Sequence, residues 1–118
     1  MRNVNIEDVD WFGEVGVRGT GADFKRLLYG EDLSPDNFEL NIAKVEERYF
    51  TPRHRHNFDQ VRFVLSGAFG FDKGRKQTAG SVGYFPEGCY YQQQAEGPSL
   101  TLLLQTSGAS GAPYVSFP

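Results

Sequence analysis

Residues 51–67 read TPRHRHNFDQVRFVLSG. The second half of this stretch decides the fold class. Val61, Phe63 and Leu65 alternate with Arg62 and Val64, the two-residue period of an extended strand. Ser66-Gly67 marks a turn, and AFGF (68–71) begins the returning strand. Upstream, FELNIAKVEERYF (38–50) sets Phe38, Leu40 and Ile42 on one face of a half-buried strand. ADFKRLLY (22–29) fits either a short helix grouping Phe24, Leu27 and Leu28, or a strand alternating Phe24, Arg26 and Leu28. Its strand neighbours favour the strand. GEDLSPDN (30–37) is a turn.

Downstream, DKGRKQTAG (72–80) reads as a polar hairpin loop, and SVGYFP (81–86) as a strand stopped by Pro86 and Gly88. CYYQQQ (89–94) is a further strand, EGPS (96–99) a turn and LTLLLQT (100–106) a buried strand. About eight short strands at roughly ten-residue spacing imply a β-sandwich or barrel. No internal repeat or heptad pattern is visible. Residues 1–21 are polar and glycine-punctuated, an arm anchored by Trp11 and Phe12, and residues 22–106 form the barrel. The tail, 107–118, ends in Tyr114, Val115 and Phe117. Either this apolar end pairs with a sheet edge or the chain belongs to a longer protein.

A length of 118 residues fits one domain. Fourteen glycines, ten phenylalanines and six tyrosines favour short strands and tight turns. A net charge of −3 gives no basic face for nucleic acid. The single cysteine, Cys89, excludes an intrachain disulfide and fits a reducing compartment such as the cytoplasm. In its Pro-x-Gly-Cys turn it reads as a small buried hydrophobe. The N-terminus lacks the apolar core of a signal peptide. The longest apolar run, Leu100 to Leu104, is too short to span a membrane.

The chemistry concentrates on His54 and His56, the only histidines. Two residues apart on a strand, they point the same way, and paired imidazoles make half of a metal's first coordination shell. Gln60 shares their parity if the strand runs without a bulge, and Arg62 follows on that face. An arginine facing a barrel interior needs an anion or an acid. It is either a bidentate clamp for a substrate carboxylate or an ion-pair partner of Glu46 or Asp59. Arg53 and Arg55 have the opposite parity and face solvent. Gly80, Gly83 and Gly88 precede no helix, so they are turn and close-approach residues rather than a phosphate cradle.

His54-x-His56-x-x-x-Gln60, with Gly67 after six residues, resembles the first cupin motif. Gly80, five residues, Pro86-x-Gly88-x-x-Tyr91 resembles the second. Together they cover roughly residues 40 to 105. Four positions depart from the pattern: Arg48 for a glycine, Gln60 for the glutamate, Tyr91 for the last histidine, and Ala95 for a frequent asparagine. The resemblance implies an all-β, single-domain jelly-roll barrel (a double-stranded β-helix). It also implies one divalent transition metal (Fe, Mn, Ni or Zn) held by His54, His56, Gln60 and Tyr91. By ligand charge counting, glutamine in place of glutamate removes a negative charge that a Tyr91 phenolate would restore.

Three functions follow from this resemblance. The first is a metal-dependent oxygenase, decarboxylase, isomerase or lyase acting on a small anionic molecule. In it Arg62 and Gln93 bind substrate, and Tyr91 either ligates the metal or acts as the acid. The second is a non-catalytic small-molecule-binding or sensing module. The third is a metal-free isomerase or epimerase that pairs His54 or His56 with Tyr91 as base and acid. The resemblance further implies a homodimer, and the outward-facing Val61, Phe63 and Leu65 need cover from the arm or from a second chain.

Overall fold

A computed structural model of the chain describes residues 1–13, 21–31, 37–47, 49–56, 58–71, 74–106 and 115–116. Within these residues lie β1 (Phe12–Gly13), β2 (Ala22–Tyr29), β3 (Glu39–Val45), β4 (Phe50–Arg55), β5 (Gln60–Ser66) and β6 (Ala68–Phe71). They are followed by β7 (Arg75–Thr78), β8 (Val82–Phe85), β9 (Tyr91–Ala95), β10 (Ser99–Gln105) and β11 (Val115–Ser116). A 3-10 turn at Ile6–Asp8 precedes them. Among the described residues no helix is long and apolar enough to cross a membrane.

Two antiparallel sheets enclose the core. The first runs β1-β2-β3-β10-β5-β8 and the second β11-β4-β9-β6-β7. The ambiguous segment 22–29 is a strand, β2, paired with β3 along its length. A register shift between Arg26 and Leu28 turns Leu27 inward, where it is buried. The buried residues of β5 are Gln60, Arg62 and Val64, so Val61, Phe63 and Leu65 lie on the outer face of the first sheet. Opposite them in register across β10 and β3, the inward positions are Thr101, Leu103 and Gln105, then Ala43, Asn41 and Glu39. Leu40 and Ile42 therefore lie outward, level with Leu104 and Leu102. The apolar core joins Ala22, Phe24, Ala43, Val45, Tyr49, Phe69, Ala95 and Leu103 from both sheets.

Ala68–Phe71 does not return along β5. Both edges of β5 are already taken, by β10 and β8, and β6 pairs with β7 and β9 instead. Gly67 is thus the corner where the chain changes sheets. Its φ of 78° and the 2.3 Å that would separate an added Cβ from the Pro98 carbonyl oxygen both demand glycine. The expected polar loop 72–80 contains β7, whose Gln77 is buried and faces the interior. Cys89, expected to be buried, is half-exposed.

The N-terminal residues pack on the first sheet. Phe12 meets Phe24 with ring centroids 6.1 Å apart. The Lys25 ammonium donates to the Ile6 carbonyl at 2.8 Å. Trp11 receives Lys25 at 4.8 Å and Lys44 at 4.4 Å from its ring centroid. At the other terminus, Val115 and Ser116 pair with Arg55 and His54 on the edge of β4, the edge-pairing alternative. Arg48, Tyr114 and Phe117 lie outside the described residues.

Candidate functional site

Sequence parity assumed one unbroken strand from His54 to Arg62. The chain instead forms two strands in different sheets, β4 and β5, separated by a corner containing Phe58 and Asp59. His56, Gln60 and Arg62 still meet around Tyr91, because both strands face the same interior. A register shift in β4 between Thr51 and His54 brings the backbone of His54 opposite Tyr91. His56 lies just past the end of β4, and its carbonyl oxygen accepts from the Gly88 backbone N–H at 2.9 Å. Its ring is buried, stacks on Phe58 at 4.5 Å and stands 6.1 Å from the Tyr91 ring. The direction of the His54 side chain lies outside what is described.

Arg62 is the centre of the cluster. It is 5 % exposed. Its Nε donates to Gln60 Oε1 at 2.5 Å, and its Nη2 donates to Tyr91 Oη at 2.7 Å. The guanidinium carbon lies 4.4 Å from the Phe85 ring centroid and 5.0 Å from that of Tyr91, within the range of cation–π attraction. Gly83, its register partner on β8, leaves room for the Gln77 amide, whose Nε2 would sit only 2.1 Å from an added Cβ.

Neither expected acid partner reaches Arg62. Asp59 accepts from the Glu87 backbone N–H at 2.8 Å, and Glu46 packs against Gly21. Among the described residues no carboxylate pairs with this guanidinium. Burying an unpaired charge is costly, and the two neutral acceptors and the aromatic faces offset only part of that cost.

From Gln60 a polar chain runs across the inner face of the first sheet. Gln60 Nε2 donates to Gln105 Oε1 at 2.8 Å, and Gln105 Nε2 donates to Glu39 Oε2 at 3.3 Å. Glu39 also pairs with Arg26 at 2.7 Å and accepts from the Asn41 amide at 3.4 Å. Sequence reasoning missed Gln105 and Glu39. Their signal was available: each is a polar residue at an inward position at the end of a strand. It also missed the aromatic walls, Phe58 and Phe85. Gln93 is half-buried and its backbone N–H donates to Thr51 Oγ1 at 3.1 Å. Among the described residues it makes no hydrogen bond to the Arg62 cluster. Arg53 and Arg55 are exposed beside the Tyr90 ring, as their parity required. A separate cleft of about 420 Å³ on the second sheet, bordered by Phe50, Phe71, Lys76 and Gln92, is lined by none of His56, Gln60, Arg62 and Tyr91.

The four-ligand metal shell meets an obstacle here. The two oxygens expected as ligands, Gln60 Oε1 and Tyr91 Oη, both accept from Arg62. A divalent ion on those oxygens would stand against a guanidinium, like charge against like in a poorly solvated interior. As arranged, Gln60 and Tyr91 do not fit that shell, because both oxygens are engaged by Arg62.

No family model matches the chain. No curated protein matches it either. Solved structures do. The polyketide cyclase RemF from Streptomyces resistomycificus superposes with a TM-score of 0.78 at 20 % identity, covering 100 % of this chain and 86 % of that one. KdgF from Halomonas sp. gives 0.71 at 22 % identity, covering 87 % and 92 %. An RmlC-like cupin from Shewanella frigidimarina gives 0.73 at 14 % identity, covering 92 % of each chain. The chain has the cupin jelly-roll fold.

Proposed function

We propose that this chain is a small cupin-fold protein that takes an anionic small molecule into the barrel interior, with Arg62 as the clamp for its carboxylate. One observation carries this reading: a guanidinium 5 % exposed, held by two neutral acceptors and facing no carboxylate among the described residues. Guanidinium donors form a planar fork that matches a carboxylate, and a ligand acid would supply the missing counter-charge. Phe58 and Phe85 give the apolar walls typical of small-molecule sites. Tyr91 is the proton donor of the site in this reading, through the hydroxyl that touches Arg62, whereas Gln93 borders the cleft on the second sheet. The resemblance in fold to a polyketide cyclase supports an enzymatic use of such a site. A divalent metal on His54, His56, Gln60 and Tyr91 would first have to take two oxygens away from Arg62.

The test is thermal shift with a panel of small organic acids, each paired with its neutral amide. An acid present at about one hundred times its Kd should stabilise the protein by about 2.7 kcal/mol. Its amide, and the acid added to Arg62→Met, should give no shift. Acid and amide acting alike would reject the clamp.

We also propose a homodimer through the outer face of the first sheet. Val82 is 65 % exposed, Tyr84 63 %, Leu65 40 % and Phe63 37 %. The N-terminal contacts reach Lys25, Tyr29 and Lys44 on β2 and β3. No contact from residues 1–13 to β5 or β8 stands among those described.

A further inference from the structure

The conflict between the expected metal shell and the observed hydrogen bonds has a chemical reading of its own. We propose that the Arg62 guanidinium is the resident cation of this site. It occupies the two oxygens that a divalent ion would need, and this chain does not seat a divalent ion on Gln60 and Tyr91.

Three observations carry this inference. First, one guanidinium donates to both acceptors, Gln60 Oε1 at 2.5 Å and Tyr91 Oη at 2.7 Å, using two different nitrogens of its fork. Arginine does not lose its charge in a protein, so this occupation holds at every working pH. Second, Gln60 does here what a glutamate cannot. Its oxygen accepts from Arg62 while its amide nitrogen donates to Gln105 at 2.8 Å. An ionised carboxylate is acceptor-only and would break the second link. The departure of Gln60 from the cupin pattern is therefore the residue that the polar chain needs. Third, the charges do not balance with a metal added. Two neutral imidazoles and an amide leave a divalent ion at its full +2, or at +1 with Tyr91 as phenolate, by ligand charge counting, and either charge stands beside a guanidinium of the same sign. Among the described residues no carboxylate pairs with Arg62.

This inference rests on the hydrogen bonds of Arg62 and not on the acid-binding reading. A protein that ignores every organic acid would reveal itself in the thermal-shift series and not in the measurement below.

The experiment titrates metal-stripped, full-length protein with Co2+ alone and follows heat and visible absorption. In the otherwise unaltered protein, Tyr91→Phe and Gln60→Leu should each change Co2+ affinity by less than about twofold, against the ten- to hundredfold that true ligand partners cost. Arg62→Met should bind Co2+ about tenfold more tightly or better, and adding Tyr91→Phe to it should remove that gain. The proposal is overturned if Co2+ binding to the unaltered protein weakens about tenfold in either single variant. It is also overturned if a folded Arg62→Met gains no affinity, or if the iron(III)-loaded protein carries a visible phenolate band that Tyr91→Phe abolishes. If Arg62→Met fails to fold by circular dichroism, the Tyr91→Phe and Gln60→Leu titrations and the iron band decide alone.

Discussion

The two ends of the barrel interior are built from opposite materials. Where β10 begins, Ser99 and Thr101 stand beside Val45 and Ala43, and Phe24, Phe69 and Ala95 close a core drawn from both sheets. Where β10 ends, Gln105 stands between Gln60 and Glu39, and the inward positions carry two arginines, a glutamate, an asparagine and two glutamines. The same strands supply both ends. β3 passes from Val45 and Ala43 to Asn41 and Glu39 within four inward positions. Apolar burial stabilises in proportion to area, whereas buried hydrogen bonds contribute little net and a buried charge opposes folding. The apolar end thus holds the fold, and the polar end is tolerated for something other than stability. That division is what singles out Arg62, and it can be broken by mutation.

The largest effect should fall at the apolar end. Phe69→Ala is expected to destabilise by about 3–5 kcal/mol, the usual result of truncating a buried phenylalanine, read as a lower urea midpoint with unchanged slope. Arg62→Met, at a site equally buried, should stay within about 1 kcal/mol of the parent. Losing the desolvated charge offsets the two acceptors left short of a donor. If Arg62→Met costs as much as Phe69→Ala, the guanidinium is a structural strut and the contrast between the ends fails. A smaller effect of opposite sign should come from Thr101, 2 % exposed, whose hydroxyl has no hydrogen-bond partner among the described residues. Thr101→Val should raise stability by about 1 kcal/mol, because it removes an unsatisfied buried polar group at nearly constant shape. A loss of stability would mean that the hydroxyl is solvated and that the polar region extends further toward the core.

How much of this was legible in the sequence differs between the two ends as well. The strands of the apolar end declare themselves through alternation and turn residues, and the ambiguous segment 22–29 resolved correctly by appeal to its neighbours. The polar end is read through the spacing of His54, His56, Gln60 and Arg62; the last three are buried, and the side chain of His54 lies outside what is described. The reason given for their convergence is incomplete. Parity along one strand does not survive the corner at Phe58 and Asp59, and the residues meet because two sheets face each other. What parity cannot reveal is who bonds to whom. Gln60 and Tyr91 were assigned to a metal because the motif places ligands there. The hydrogen bond from Arg62 to Tyr91 depends on the distance between β5 and β9, which no local pattern encodes. The same limit explains Gly67, where a turn signal was plain but the choice of sheet depended on β5 having both edges already taken.

The smallest effect on folding should come from the outer face, and it separates fold from assembly. β8 ends the first sheet, so Val82 and Tyr84 sit at a sheet edge beside Phe63 and Leu65. Four exposed apolar side chains on one edge invite pairing with another chain. A second copy offers the same patch, and a two-fold contact needs only self-complementarity. Tyr84→Glu should leave the urea midpoint of the isolated chain near the parent's, since an exposed side chain loses only its hydrogen bond to Asp59. It should nevertheless convert a dimer to a monomer in sedimentation velocity, because two like charges would be buried against each other across the axis. An unaltered protein that sediments as a monomer at tens of micromolar would exclude the dimer. A Tyr84→Glu variant that unfolds instead would mean that the face is covered from within the chain.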